Sequence, residues 1–262
     1  MPAQLTTLFL RHKIALLTAT GIILVAAAVG LGRFTLLSYL PTIPLEAWAD
    51  ALVTWLNDNL EVVFEAISAV ILVVLDPLLF FFTSTPAFSV VILIAGLGYL
   101  LGGWRLALFV GAALTFVSMI GFFEEMMHTL ALALTATIFS LLVGIPVGIL
   151  KAHVHVLDVA LDPVLDLMQT MPLFVHLIPA VLFFGIGNVP GIIATFIFAT
   201  PPAVRLTALG IQQIPSELVE AGRAFGATRT QFLIKIELPL ALPSIVAGVN
   251  QTIMLALSMV VV

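Results

Sequence analysis

Residues 126–150 read MMHTLALALTATIFSLLVGIPVGIL, a run with no Asp, Glu, Lys or Arg. A bilayer core of about 30 Å needs about 20 mostly apolar helical residues, so this run predicts a membrane-spanning helix. The same ruler, the distance between charges, finds uncharged windows at 14–32, 77–104, 106–123, 167–204 and 238–262. Over the whole chain 62% of residues are apolar and 9% charged, against about 25% charged in a soluble domain. The mean hydropathy of +1.26 excludes water-covered globules, coiled coils and disordered tails. A net charge of −5 gives no reason to expect a nucleic acid or other polyanion as partner. The chain has no cysteine, which removes disulfides, iron–sulfur clusters, thiolate zinc sites and cysteine nucleophiles. The class is an all-α polytopic membrane protein.

Window 77–104 places a helix at about 87–101. Window 167–204 is long enough for two spans, with Gly185-Ile-Gly187-Asn188-Val-Pro190-Gly191 as a tight turn between them. Seven spans result. With the N-terminus inside, eight of the nine basic residues (all but Arg33) fall on the cytoplasmic side, as the positive-inside rule requires. Segment 34–86 mixes Glu46, Asp50, Asp58, Glu61, Glu65 and Asp76 with Trp48, Trp55 and Phe64. It reads as two amphipathic helices on the outer face; the alternative is one poorly hydrophobic span near 61–82, which would reverse the N-terminus. Residues 1–33 read as a retained N-terminal helix, or as a cleaved secretory signal ending near Ala26-Ala27-Ala28. Two accessory helices occupy 87–123 and a core follows over 124–262.

The chain carries no phosphate-binding Gly-x-x-x-x-Gly-Lys loop. Glu125-x-x-His128 has the spacing of one half of a di-metal site, but no second such pair faces it, so no metal site is expected. On a helix, His153 and His155 would point apart. His176 lies within a span and reads as a neutral imidazole hydrogen-bonded to a neighbouring helix, with a functional role as the alternative. No catalytic residue is assigned, and the chain is not expected to be an enzyme. Mid-span positions are nearly free of the charges that ion-coupled transporters use, so energy for any transport would come from outside the chain.

The longest internal hydrophilic stretch is 205–237. Pro215-Ser216-Glu217-Leu218-Val219-Glu220-Ala221-Gly222-Arg223-Ala224-Phe225-Gly226 reads as a short helix. Ser216 caps its start, Glu217 and Glu220 suit its positive end, and Gly226 provides a left-handed stop. Leu218, Gly222 and Phe225 would form an apolar stripe, with Gly222 letting another surface approach closely. Thr228-Arg-Thr-Gln231 is a capping box opening a second helix that ends near Pro239.

The run Glu220-Ala221-Gly222, Gly226, Ile236, Leu238-Pro239 resembles the EAA loop of ABC importer permeases, with Gly222 where that pattern has a second alanine. Residues 165–172, 184–191 and 247–259 are similar to the glycine betaine/proline betaine permease family, and the likeness covers roughly 130–262. The resemblance implies a type I importer-like helical core with an extra N-terminal span, and the membrane subunit of an ATP-driven importer of quaternary-ammonium osmoprotectants. It implies a second permease copy, two cytoplasmic ATPase subunits that carry the ATP and Mg, and an external substrate-binding protein. The place is a bacterial plasma (inner) membrane, with the loop at 205–238 cytoplasmic. Leu218, Glu220, Ala221, Gly222, Phe225, Gly226, Ile236, Leu238 and Pro239 would couple to the ATPase. Pathway candidates are the polar or kinking positions Gln169, Thr170, Pro172, Thr200, Pro201, Pro202, Asn250 and Gln251. A further span beyond Val262 is usual in the family, so the core is expected to be C-terminally truncated. The alternatives are a permease for another small amino-acid-like solute and a non-transport channel or scaffold subunit.

Overall fold

The computed structural model describes residues 20–27, 44–224 and 226–260, the side chains of Leu173, Ala221 and Arg223 excepted. The expectations for residues 1–33 beyond positions 20–27 lie outside the described residues. The chain divides into two units, 1–54 and 55–262. In the first, residues 20–27 form a helix, α1, and the amide of Trp48 donates to the Pro44 carbonyl at 3.1 Å where the next helix begins. That helix, α2 (Leu45–Ser84), runs on into the second unit. There it is followed by α3 (Ala87–Met119), α4 (Phe123–His153), α5 (His155–Thr170), α6 (Leu173–Phe184), α7 (Asn188–Gln212), α8 (Ser216–Ala224), α9 (Arg229–Phe232), a π-helical turn (Leu233–Glu237) and α10 (Leu238–Val260). The described residues contain no strand.

Between lipid-facing helices burial of apolar surface gives little net drive, so close backbone approach through small residues takes its place. The core of α4, α7 and α10 is built this way. A Cβ at Gly148 would lie 2.6 Å from the Val204 carbonyl oxygen and 2.7 Å from Thr207 Cβ, and one at Gly144 would lie 2.7 Å from Ala203 Cβ. Across the other side of α7, Gly210 meets Ser244 and Ala241, while Gly248 meets Leu206 and the Pro202 carbonyl. Ser140 of α4 adds a bond across the interface by donating to the Phe196 carbonyl at 3.4 Å.

Three expectations change. First, the described part of 34–86 is not two helices. Leu45–Ser84 is one helix, with an 18-residue stretch of mean hydropathy 2.3 that is long and apolar enough to cross a membrane. Asp76 bounds an uncharged window, yet a single exposed carboxylate does not interrupt a helix whose Ile71 and Leu75 are buried against α3, α4 and α7. Second, the helix opened by Thr228 does not stop at Pro239. The proline lacks an N–H for the bond four residues back; just before it, the Leu238 amide donates to the Leu233 carbonyl, and this π-turn carries the helix on into α10. Third, the span expected from 167 is not a straight helix: only the bent pair of α5 and α6 together has the length for it. Helix α5 starts at His155 and breaks at Met171-Pro172, and α6 leaves it at 97°.

Two other turns agree with the sequence. Gly185 (φ 75°) and Gly187 (φ 155°) link α6 to α7. Gly103 (φ 76°) interrupts α3, and Gly98 touches Ala107 while Gly111 touches Ala95, so α3 folds back as a hairpin. Among the described residues five helices pass the length and apolarity requirement for crossing a membrane, with α5 and α6 together a bent sixth.

Two measurements check this account. Gly148→Ala forces a methyl into the Val204 carbonyl and should cost about 1–3 kcal/mol, read as a lower thermal midpoint in detergent. Gly191→Ala has open space around it and should leave the midpoint unchanged. If α2 crosses the membrane, cysteines replacing Ser84 and Asp58 should react with an impermeant thiol reagent from opposite sides. Labelling of both from the same side would return α2 to the membrane surface.

Candidate functional site

The hydrophilic loop is ordered by local caps. In α8 the Leu218 amide donates to the Pro215 carbonyl at 3.1 Å, and Glu217 sits in the first turn, where a carboxylate favours the helix dipole. Gly226 adopts φ 74°, and the Ala227 amide donates back to the Gly222 carbonyl at 3.3 Å. That is the Schellman arrangement, which needs a left-handed residue at Gly226. Thr228 and Gln231 then form the reciprocal capping box, the Gln231 amide donating to Thr228 Oγ1 at 3.3 Å and the Thr228 amide to Gln231 Oε1 at 3.1 Å. Both features are legible in the sequence because they are contacts within five residues.

The face of α8 is not the expected one. Gly222 is buried within its own chain: a Cβ there would meet Phe232 Cε2 at 2.7 Å and Ile236 Cδ1 at 2.8 Å. It is therefore not open for a partner's backbone, and the stripe of Leu218, Gly222 and Phe225 does not form one outward surface. Leu218 is 43% exposed and Glu220 is exposed, while Gly222 faces inward. Phe225 lies outside the described residues, and of Ala221 only the backbone in α8 is described. Ile236 and Leu238 are half-buried, Leu238 packing against Ile211, Ala241 and Ile245, and Pro239 is exposed.

Beside this loop the ion pairs gather at one end of the core. Asp158, Asp162 and Asp166 recur every four residues along α5, so they share a face. Lys151 at the end of α4 is 5% exposed and pairs with Asp158, and with Asp162 at 3.0 Å. Arg205 of α7 pairs with Asp166 and reaches Gln169 Oε1 at 3.4 Å. His153 Nε2 meets the Glu237 carboxylate at 3.0 Å. Sequence reasoning missed this clasp. The four-residue spacing of the aspartates was its signal.

The pathway candidates sit in different settings. Thr200, Pro201 and Pro202 are buried, and the Thr200 hydroxyl donates to the Phe196 carbonyl, as α7 continues through both prolines. Asn250 and Gln251 are exposed on α10. Gln169 is held by Arg205, Thr170 donates to the Asp166 carbonyl at 2.8 Å, and Pro172 precedes α6 at the bend. His176 is buried beside Phe198, and its Nδ1 has no hydrogen-bond partner among the described residues, so the expected bond to a neighbouring helix is absent at that atom. Among the described residues no group of three or more His, Asp or Glu side chains could hold a metal ion.

The family of binding-protein-dependent transport system inner membrane components matches residues 144–262, which hold the C-terminal third of α4 and everything from α5 to α10. The chain is 42% identical over 223 residues to the glycine betaine transport system permease protein OpuAB of Bacillus subtilis (strain 168), covering 85% of this chain and 79% of that protein. It is 44% identical over 227 residues to the glycine betaine/carnitine transport permease protein GbuB of Listeria monocytogenes, covering 85% and 80%. With the glycine betaine/proline betaine transport system permease protein ProW of Escherichia coli (strain K12) the identity is 43% over 220 residues, and the match spans 84% of this chain but 62% of ProW. At 42–44% identity over 84–85% of its length to these permeases, the chain belongs to the family of binding-protein-dependent transport system inner membrane components.

Proposed function

We propose that this chain is the membrane subunit of an ATP-driven importer of glycine betaine, proline betaine or related quaternary-ammonium solutes. The observation that carries this reading is the 42–44% identity to permeases named for glycine betaine, proline betaine and carnitine. Those named solutes share a permanently charged nitrogen and a carboxylate, so their net charge is zero. A zwitterion needs no fixed counter-charge along its path, which fits an α10 free of ionisable residues from Leu238 to Val260. A second copy of the chain, two ATPase subunits holding ATP and Mg, and an external binding protein complete the machine. The loop carrying α8 faces the cytoplasm in this reading.

The role of α8 follows from its geometry as corrected above. Its outward residues Leu218 and Glu220 meet the ATPase, whereas Gly222, Phe232 and Ile236 hold the helix to its own loop. Gly226 sets the stop, Ala221 and Phe225 extend the same segment, and Leu238 and Pro239 join the loop to α10. Of the pathway candidates, Asn250 and Gln251 lie exposed where a second copy can complete a channel. Thr200, Pro201 and Pro202 shape α7 behind it.

The test is reconstitution in lipid vesicles with the ATPase and binding protein encoded beside the gene, measuring ATP-dependent uptake of radiolabelled glycine betaine. Uptake that requires all three components supports the proposal; ATP-independent flux would favour a channel. Leu218→Asp should leave the permease folded but abolish ATPase association. Glu220→Ala should act in the same direction more mildly, by about 0.5–1 kcal/mol, since the group is solvent-exposed. Gly222→Trp should also disrupt the loop in the isolated permease, read as faster proteolysis of 213–237. Resistance equal to wild type would place Gly222 outside the loop packing.

A further inference from the structure

We infer that His153 and Glu237 form the latch through which α8 acts on the membrane helices, a positioning pair for transport rather than part of the pathway. The inference rests on the permease reading and adds to it the residues that transmit the motion.

The loop is tied to the core by little else. Among the described residues, one side-chain hydrogen-bonded contact joins positions 213–237 to a core helix that is not its neighbour in the chain. It is the contact of His153 Nε2 with Glu237, 3.0 Å to Oε2 and 3.2 Å to Oε1, between groups 84 positions apart. Glu237 is 8% exposed and ends the π-turn; His153 is the last residue of α4. The other ring nitrogen, Nδ1, lies 2.8 Å from the Ile149 carbonyl oxygen. Both nitrogens therefore face acceptors. A ring nitrogen that carries its proton donates to the acceptor it faces, so the ring is held between Glu237 and its own helix. A buried carboxylate stripped of its partner is strongly disfavoured, which makes the contact a firm link.

The link is placed to carry motion. A cavity of about 510 Å³ separates α8 from the core, bounded by Val219 on the α8 side and by Ala227, Arg229, Phe232, Glu237 and His153. Helix α8 thus reaches the core through contacts around a void. One is Gly222 resting on Phe232 and Ile236, the segment that holds Glu237. A displacement of α8 presses on Phe232 and Ile236, shifts the π-turn, and pulls α4 through His153 while turning α10 by direct continuation. Extra-residue turns of this kind are frequent at functional sites. Arg229 lines the same cavity as the pair, and Lys151, two positions before His153, is turned to Asp158 and Asp162.

The test uses the full assembled complex in vesicles and reads uptake and ATP hydrolysis in the same sample. His153→Ala should keep assembly and hydrolysis but lower solute moved per ATP by about tenfold or more, as expected for losing a charged hydrogen bond. Glu237→Gln should preserve coupling, because the amide donates to the lone pair of neutral Nε2 and accepts from a protonated one. Unchanged uptake per ATP in His153→Ala, or loss of assembly in step with uptake, would overturn the latch, as would loss of coupling in Glu237→Gln. Hydrogen exchange on the isolated permease reads the latch without transport: His153→Ala should speed exchange of amides at 216–237 and leave α7 protected. Equal exchange there would overturn the inference even if the wild type transported nothing, an outcome that would instead defeat the permease reading.

Discussion

Close contact between glycine-bearing helix surfaces holds this protein together. Lipid is as apolar as leucine, so the helices gain by touching backbone to backbone, and Gly144, Gly148, Gly210 and Gly248 create four such places around α7. Ala131, Ala136, Ala194, Ala199, Ala203, Ala208 and Ala256 extend the tight packing along the same helices. With so little side-chain volume at the interface, threonines can sit inside it. Thr135, Thr195 and Thr200 turn their hydroxyls back to their own helices, whereas Thr207 and Thr252 hold buried hydroxyls with no partner among the described residues.

That packing decides where charge can go. Because α4, α7 and α10 meet through small residues, Lys151 of α4 and Arg205 of α7 find their partners on the acidic face of α5 rather than between the core helices. Two of the basic residues that orient the chain in a bilayer are thus also structural partners inside it. The bend at Met171-Pro172 serves this arrangement, since α5 lies across the core end while α6 turns away at 97°.

What could be read from the sequence divides by distance along the chain. The core helices are visible as charge-free windows, the two legs of α3 as two windows that meet at Arg105, and the α8 stop and Thr228 cap as patterns within a few positions. The misreadings all concern partners far away or context that a window cannot contain. Asp76 looked like a boundary because nothing local shows Leu75 buried against another helix. Gly222 looked open to a partner because Phe232 and Ile236, ten and fourteen positions on, return to cover it. His153 and Glu237, 84 positions apart, carry no local signal. Pro239 looked like a helix end because a proline usually is one, and only the π-turn before it lets the chain go on.

The hairpin in α3 bears on the bilayer itself. Each leg, 87–102 and 104–119, has sixteen residues and a length of about 24 Å at 1.5 Å per residue, several ångströms short of an average hydrocarbon core. Arg105, its guanidinium 5.6 Å from the Trp104 ring, stands at the tip where a cation and an indole favour the headgroup region. The acyl chains beside this hairpin must therefore compress toward it. Such a collar of thinned lipid costs fractions of a kcal/mol per ångström, and the cost falls when two short hairpins share one collar. The accessory helices thus favour thinner membrane and the company of other short spans, a preference set by length rather than by any specific contact.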